Sequence, residues 1–245
     1  MINLATDEGQ ARDILLAIFD ALHAHYGPQE WWPTRTGSKW EIMLGAVLTQ
    51  RTTWANVERS LDNLVTAWGN AGLAKPQFIL NAPEEELVSL LRPTGHFRSK
   101  PRKLKYLAEF VQGEGGVEAL ARSGESTEAL RARLLGLWGI GPETADAILL
   151  YALDRPVFVA DAYALRLASR WGLLPPTARY ADIQKLFMDN LPHEVALFNE
   201  YHALIVAHGK QICRPRALCE VCPLNRPVRL RQGGSWSCPR LFTGK

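Results

Sequence analysis

The chain is poor in the features that would tie it to a membrane, a secretory route or a sheet. Its 245 residues contain no apolar run of about eighteen without a charge, so no segment is expected to span a bilayer. The opening residues MINLATDEGQ have no basic stretch leading into an apolar core, and a cytoplasmic protein is expected. Cysteine is scarce, with four residues, and all of them lie between positions 213 and 238. In a reducing compartment, thiols confined to one short segment read as metal ligands rather than as a disulfide framework. Strand-forming runs are nearly absent: PVFVA, residues 156–160, alternates convincingly but is too short and solitary to found a sheet. No repeat and no low-complexity tract interrupts the chain. Nor is there a strong excess of either charge; the net +3 permits a polyanionic partner without demanding one.

What is present is helical. Apolar residues recur at three- and four-residue intervals in Ile14, Leu15, Ile18, Phe19 and Leu22, in Ile42, Met43, Ala46 and Val47, and in Leu104, Leu107 and Val111. Proline- and glycine-rich punctuation at YGPQEWWP, NAPEE, RPTG, GEGG and GLLPPT divides the sequence into about ten helices. An all-α fold is expected. Basic residues cluster in two places. Arg98, Lys100, Arg102, Lys103 and Lys105 follow one another closely, and Arg214, Arg216, Arg226, Arg229, Arg231 and Arg240 crowd the tail.

The stretch LLGLWGIGPETADAILL, 134–150, predicts a helix ending near Leu137, a tight turn carrying Gly139, Ile140 and Gly141, and a second helix starting near Pro142. Glycine accepts the positive φ of such a turn and lets another backbone approach. Proline suits the first helical position. Amides at the start of the second helix then point outward with the positive end of its dipole behind them, which makes an anion site. By itself the turn also fits an ordinary antiparallel helix pair. Farther on, the isolated acid Asp161 opens another helix and is expected to cap it.

Taken together, LWGIGPETAD, VFVADAYALR, GAVLTQRTTWANVERS, HGKQIC and CEVCPL make residues 36–225 resemble the helix-hairpin-helix DNA glycosylases of the endonuclease III family. The resemblance implies two helical lobes with a DNA cleft between them. One is a six-helix barrel over 36–155 that ends in the hairpin; the other is a lobe of 1–35 and 156–245 that carries an iron–sulfur cluster. It implies a monomer, associated with the nucleoid, that binds double-stranded DNA containing damaged bases, with phosphates met by Gly139, Ile140, Gly141, Arg98 and Lys100. The family's catalytic aspartate falls on Asp161. Its Schiff-base lysine falls on Glu143, which has no amine to condense with a sugar aldehyde, so a monofunctional glycosylase using water is expected. Glu143 remains a candidate contact to the base. Gln50 matches the glutamine that fills the gap left by the extruded base, His96 and Phe97 stand at a second wedge, and Lys210 stands near the mouth of the pocket.

The WWP segment, RPTGHFRSKPRKL and the hairpin glutamate are similar to the 3-methyladenine glycosylase subgroup, which implies an alkylated purine held by Trp31 and Trp32; Trp40 and Trp54 are expected in the core. A cationic base is drawn to such aromatic faces. Two other readings stay open: a glycosylase with lyase activity on oxidised pyrimidines, and a non-catalytic protein that binds damaged DNA. Cys213, Cys219, Cys222 and Cys238 form C-x5-C-x2-C-x15-C, a pattern that suits zinc or a [4Fe-4S] cluster. The resemblance favours the cluster, although the last spacer is longer than the family's. It also implies a monovalent cation at the carbonyls of Leu135, Leu137 and Ile140.

Overall fold

A computed structural model describes residues 8–231 and 233–239. Residues 1–7, on which the expectation about the start of the chain rests, and Arg240 lie outside these. Thirteen α-helices occur among the described residues: α1 Glu8–Tyr26, α2 Lys39–Leu48, α3 Trp54–Trp68, α4 Asn70–Ala74, α5 Gln77–Asn81, α6 Glu84–Leu90, α7 Lys100–Gly113, α8 Val117–Ala121, α9 Thr127–Leu135, α10 Pro142–Ala147, α11 Ala162–Arg170, α12 Tyr180–Asn190 and α13 Val195–Gln211. A π-helical turn, Ile148–Ala152, extends α10. The strand candidate at 156–160 lies in a segment without regular secondary structure. Pairing occurs instead in the tail, where β1 (Val228–Arg229) and β2 (Ser235–Trp236) are antiparallel, with Val228 opposite Trp236. The fold is thus helical, as its 3.6-residue periodicity dictates, and it exceeds ten helices because α4, α5 and α8 are five-residue turns with no full period to read.

The chain divides into two compact units, Trp32–Arg155 and Met1–Trp31 with Pro156–Lys245. In the first, α2 is the central helix. Ser38 caps it by accepting from the Trp40 amide at 3.2 Å, and Met43, Leu44, Val47 and Leu48 are fully buried. The buried carboxylate of Glu41 accepts from the amides of Arg35 and Thr36, at 2.8 and 2.9 Å, and from the Thr36 hydroxyl at 2.7 Å, so its burial is compensated by hydrogen bonds. In the second unit, Phe158 stacks on Phe187 with centroids 3.9 Å apart and meets Phe198 and Tyr201 edge-on. The Tyr201 hydroxyl donates to the Leu15 carbonyl of α1 at 2.7 Å.

Lys100 corrects an expectation. It stands in a basic run and was expected to meet phosphate, yet it is fully buried in the first unit. Its ammonium donates to the carbonyls of Leu48, 2.8 Å, and Thr94, 2.9 Å. Leu48 is the last residue of α2, so the ammonium satisfies a terminal carbonyl and faces the negative end of the helix dipole. Burial, with a smaller push from Lys103, lowers its pKa from 10.5 to about 8. Between those values the unfolded chain holds a proton that the folded chain releases, so stability rises with pH across the window. Denaturant melts of the parent and of Lys100→Met between about pH 7.5 and 10 should show that rise in the parent and a flatter profile in the variant. Equal slopes would refute the assignment.

Candidate functional site

The predicted hairpin is present, and it is built more firmly than its glycines alone imply. Helix α9 starts at the Ser126 cap, whose hydroxyl accepts from the Ala129 amide at 3.1 Å, and α10 starts at Pro142. Arg131 on α9 makes a two-pronged ion pair with Asp146 on α10, at 2.6 and 3.0 Å; Asp146 is fully buried. Such a pair fixes both distance and angle between the two helices. At the turn, the Ile140 side chain is buried and its amide donates to the Leu137 carbonyl at 3.1 Å. That carbonyl would be shared with any cation bound at the turn.

The two glycines of the turn serve different needs. Gly139 has φ +81°, and a Cβ there would lie 2.6 Å from carbons of the Lys103 side chain. Gly141 has φ −97°, which any residue adopts, and a Cβ there would meet nothing within 4 Å. The fold itself therefore makes no demand for glycine at 141, whereas an incoming backbone would. Neither the Gly139 nor the Gly141 amide finds an acceptor among the described residues. The first turn of α10 contains Glu143, exposed.

Gln50, in the turn after α2, is tied to this hairpin. Its amide nitrogen donates to the Gly139 carbonyl at 3.0 Å and to the Thr144 hydroxyl at 2.9 Å, and its oxygen accepts from Lys103 at 2.5 Å. Burial and the neighbouring Arg51 lower the Lys103 pKa. Thr144 and the Arg131–Asp146 pair carry no signal in the sequence, and Lys103 shows there only as one of a basic cluster, with no sign of its bond to Gln50. His96 is exposed at φ +47°, Arg98 is exposed, and half-buried Phe97 lies under Arg92, 5.7 Å from its guanidinium.

Three aromatic residues of the first unit form a cluster. Trp32 meets Trp54 and Tyr151, each with centroids 5.4 Å apart. Its indole lies along α2 at Gly45, where a Cβ would stand 3.1 Å from the ring. Trp40 is buried in the core as expected, while Trp54 is half-buried in the cluster instead. Tyr151 belongs to the π-helical turn, whose extra residue per turn re-aims side chains and recurs at functional sites.

In the second unit, half-buried Trp31 ends the N-terminal segment and exposed Lys210 lies in the last turn of α13. Asp161 is the N-cap of α11 and divides its two oxygens between different neighbours. Oδ1 accepts from the amides of Tyr163, 2.9 Å, and Ala164, 2.8 Å. Oδ2 lies 3.5 Å from Nε2 of His202, a residue of α13 that no sequence motif singles out. One oxygen thus fixes the carboxylate and the other retains capacity to act. Asp161 is 9% exposed, so its charge works in a medium less polar than water.

Cys213, Cys219, Cys222 and Cys238 line one small cavity together with His208 and Arg170. Arg170 donates to the Cys213 sulfur at 2.9 Å, and the Cys238 thiol donates to the Arg170 carbonyl at 3.3 Å. Among the described residues no three His, Cys, Asp or Glu side chains come together tightly enough to hold a metal ion. Four soft donors around one cavity, with no carboxylate among them, nonetheless suit a group larger than a single ion and exclude a hard-cation site.

Comparison with known proteins places this geometry. Residues 44–193 match the model of the HhH-GPD superfamily base excision DNA repair proteins. The chain is 44% identical over 213 residues to a protein named as a DNA repair glycosylase from Methanocaldococcus jannaschii, covering 86% of this chain and 94% of that one. Among solved structures it resembles the H. pylori 3-methyladenine DNA glycosylase bound to 1,N6-ethenoadenine, with a TM-score of 0.69, 28% identity and coverage of 82% and 97%. It shares the fold of an endonuclease III–DNA covalent intermediate, with a TM-score of 0.71, 21% identity and coverage of 87% and 93%. Among the described residues no helix is long and apolar enough to cross a membrane.

Proposed function

The chain belongs to the HhH-GPD superfamily of base-excision DNA repair proteins and is a DNA glycosylase, and from that premise we propose that it hydrolyses the N-glycosidic bond of an alkylated purine. Asp161 supplies the catalytic carboxylate. Its charge stabilises the oxocarbenium-like sugar as the bond from C1′ to the base breaks. Water then bonds to C1′ and loses its proton to Oδ2, while Oδ1 stays fixed by two helix amides. A purine carrying an N-alkyl group is already cationic and departs neutral, so no general acid is required. This division of labour between the two oxygens of Asp161 is the observation on which the proposal chiefly rests.

The remaining site residues divide between grip and pocket. The free amides of Gly139 and Gly141, with the open space in front of Gly141, suit a phosphodiester. Ile140 anchors the turn, and exposed Arg98 adds charge. Gln50, His96 and Phe97 serve as wedges against the stack. Base extrusion costs a few kcal/mol, to be offset by stacking and hydrogen bonds. Trp32, with Trp31, offers aromatic surface attractive to a cationic base, which supports the alkylated substrate together with the likeness to the 3-methyladenine enzyme. Glu143 is proposed as a contact to the base, and Lys210 as a contact to DNA. With a carboxylate at position 143, an abasic site rather than a nick is the product.

Incubation with duplexes that each carry a different lesion tests this directly. Cleavage of an N-alkylated purine duplex only after alkali is expected, with no adduct on borohydride treatment of an abasic duplex. A strong covalent adduct would establish lyase chemistry instead, and intact duplexes throughout would leave a binding protein.

The four cysteines are proposed to hold a [4Fe-4S] cluster, in keeping with the endonuclease III relationship and with the shared cavity. When bound, the cluster supplies a structural tie for the tail rather than a reacting group. Metal analysis of protein purified without oxygen should give iron and acid-labile sulfide in about equal amounts, roughly four per chain. Stoichiometric zinc without sulfide would overturn the assignment. A monovalent cation at the hairpin carbonyls of Leu135, Leu137 and Ile140 is a further part of the proposal.

A further inference from the structure

The residue before Gly139 is Trp138, an indole 45% exposed in the middle of the hairpin turn. It is not bare. The Arg102 guanidinium lies over its ring at 4.5 Å, and Arg102 also reaches Tyr106, one turn along α7, 5.6 Å from that ring and 3.3 Å from its hydroxyl. Tyr106 and Trp138 are themselves 6.3 Å apart. Two rings thus hold the guanidinium flat and in place, although its donors remain near solvent.

The charge of Arg102 is not neutralised. Arg131 is paired with Asp146, and Arg133 with Glu114 and Glu125. No carboxylate pairs with Arg102 among the described residues. Beside it, Lys103 runs beneath Gly139 and ends on the neutral Gln50 oxygen, and the proximity of Arg51 contributes to its lowered pKa. Unpaired positive charge therefore concentrates around the same turn that presents the free amides of Gly139 and Gly141. The Trp138 indole there keeps almost half of its surface open to solvent. A positive, preorganised guanidinium backed by an aromatic face suits a phosphodiester and its sugar: planar donors meet the oxygens and the indole covers the deoxyribose.

We propose that Trp138 and the Arg102 guanidinium stacked on it form a second docking point for the sugar–phosphate backbone of the DNA strand gripped by the hairpin. The proposal rests on the hairpin being the DNA grip. It adds one charged contact and one packing contact, and the two are separable by salt. Each phosphate contact contributes close to one unit to the slope of log affinity against log salt concentration, and a packing contact contributes nothing to it.

The experiment measures binding of an alkylated-base duplex at several salt concentrations with Asp161→Asn as the background, so that turnover does not intervene. Arg102→Gln should weaken binding about tenfold at low salt and reduce the slope by about one. Trp138→Ala should weaken it several-fold at unchanged slope, and Trp138→Phe should restore most of the loss. Both residues are at the surface, so melting temperatures close to the parent's are the control for folding. Unchanged affinity and slope in Arg102→Gln, or full affinity in Trp138→Ala, overturns the proposal while leaving the glycosylase assignment intact. That assignment fails separately if the parent protein releases no base from any lesion duplex.

Discussion

Asp161→Asn should lower base release by a factor of about 10²–10⁴ in single-turnover assays with excess protein. The substitution is informative because so little else changes. Asparagine is as good an N-cap as aspartate, so the amides of Tyr163 and Ala164 keep an acceptor. The volume is conserved at a position that is 9% exposed. What disappears is the negative charge and the oxygen able to take a proton from water. The expected outcome is therefore a folded protein that binds damaged duplex and releases almost no base. Release within about threefold of the parent would remove Asp161 from the chemistry and leave its role as a cap alone.

Phe158→Ala should produce the largest loss of stability. The ring is fully buried and is flat against Phe187 at an interplanar angle of 4°. Phe198, Tyr201 and His202 meet it edge-on. Removing a phenyl group from such a site costs about 3–5 kcal/mol, because the lost transfer energy is joined by a cavity that the neighbours cannot fill. In a chain of this size a destabilisation of that order lowers the melting temperature by roughly 10 °C. On the proposed role of Asp161, the change should reach the chemistry as well. Phe158 stands three residues before Asp161, and its carbonyl accepts from Gln184 at 2.8 Å, so the same segment aims the carboxylate. Val221→Ala, at a side chain 63% exposed, is the control and should shift melting hardly at all. Equal melting of the two variants would show that the aromatic cluster contributes little.

The parts of the molecule that were legible in the sequence are those in which a residue's own geometry fixes its place. Pro142 starts α10 because proline fits the first turn of a helix. Asp161 caps α11 because a short acid before an apolar periodicity does so. Gly139 takes the left-handed conformation that its turn requires. The misread parts depend on a partner far along the chain. Lys100 looks like its basic neighbours, and nothing local reveals that the carbonyls of Leu48 and Thr94 await an ammonium. His202 sits on the periodic face of α13 as any core residue might, and its place opposite Asp161 follows only from helix packing. The link from Gln50 to the hairpin likewise spans 94 residues in its longest reach, to Thr144. The two-residue strands of the tail are too short to show alternation.

Gly141 carries a lesson about which measurements can see a residue. Since its backbone suits any amino acid and no atom of the protein crowds it, a survey of variants scored for folding or cellular abundance should pass alanine or serine there unnoticed. On the proposed function, a survey scored for survival of alkylation damage should reject the same variants. The gap between the two scores at this single position would mark the point where selection acts on the nucleic acid complex and not on the protein alone.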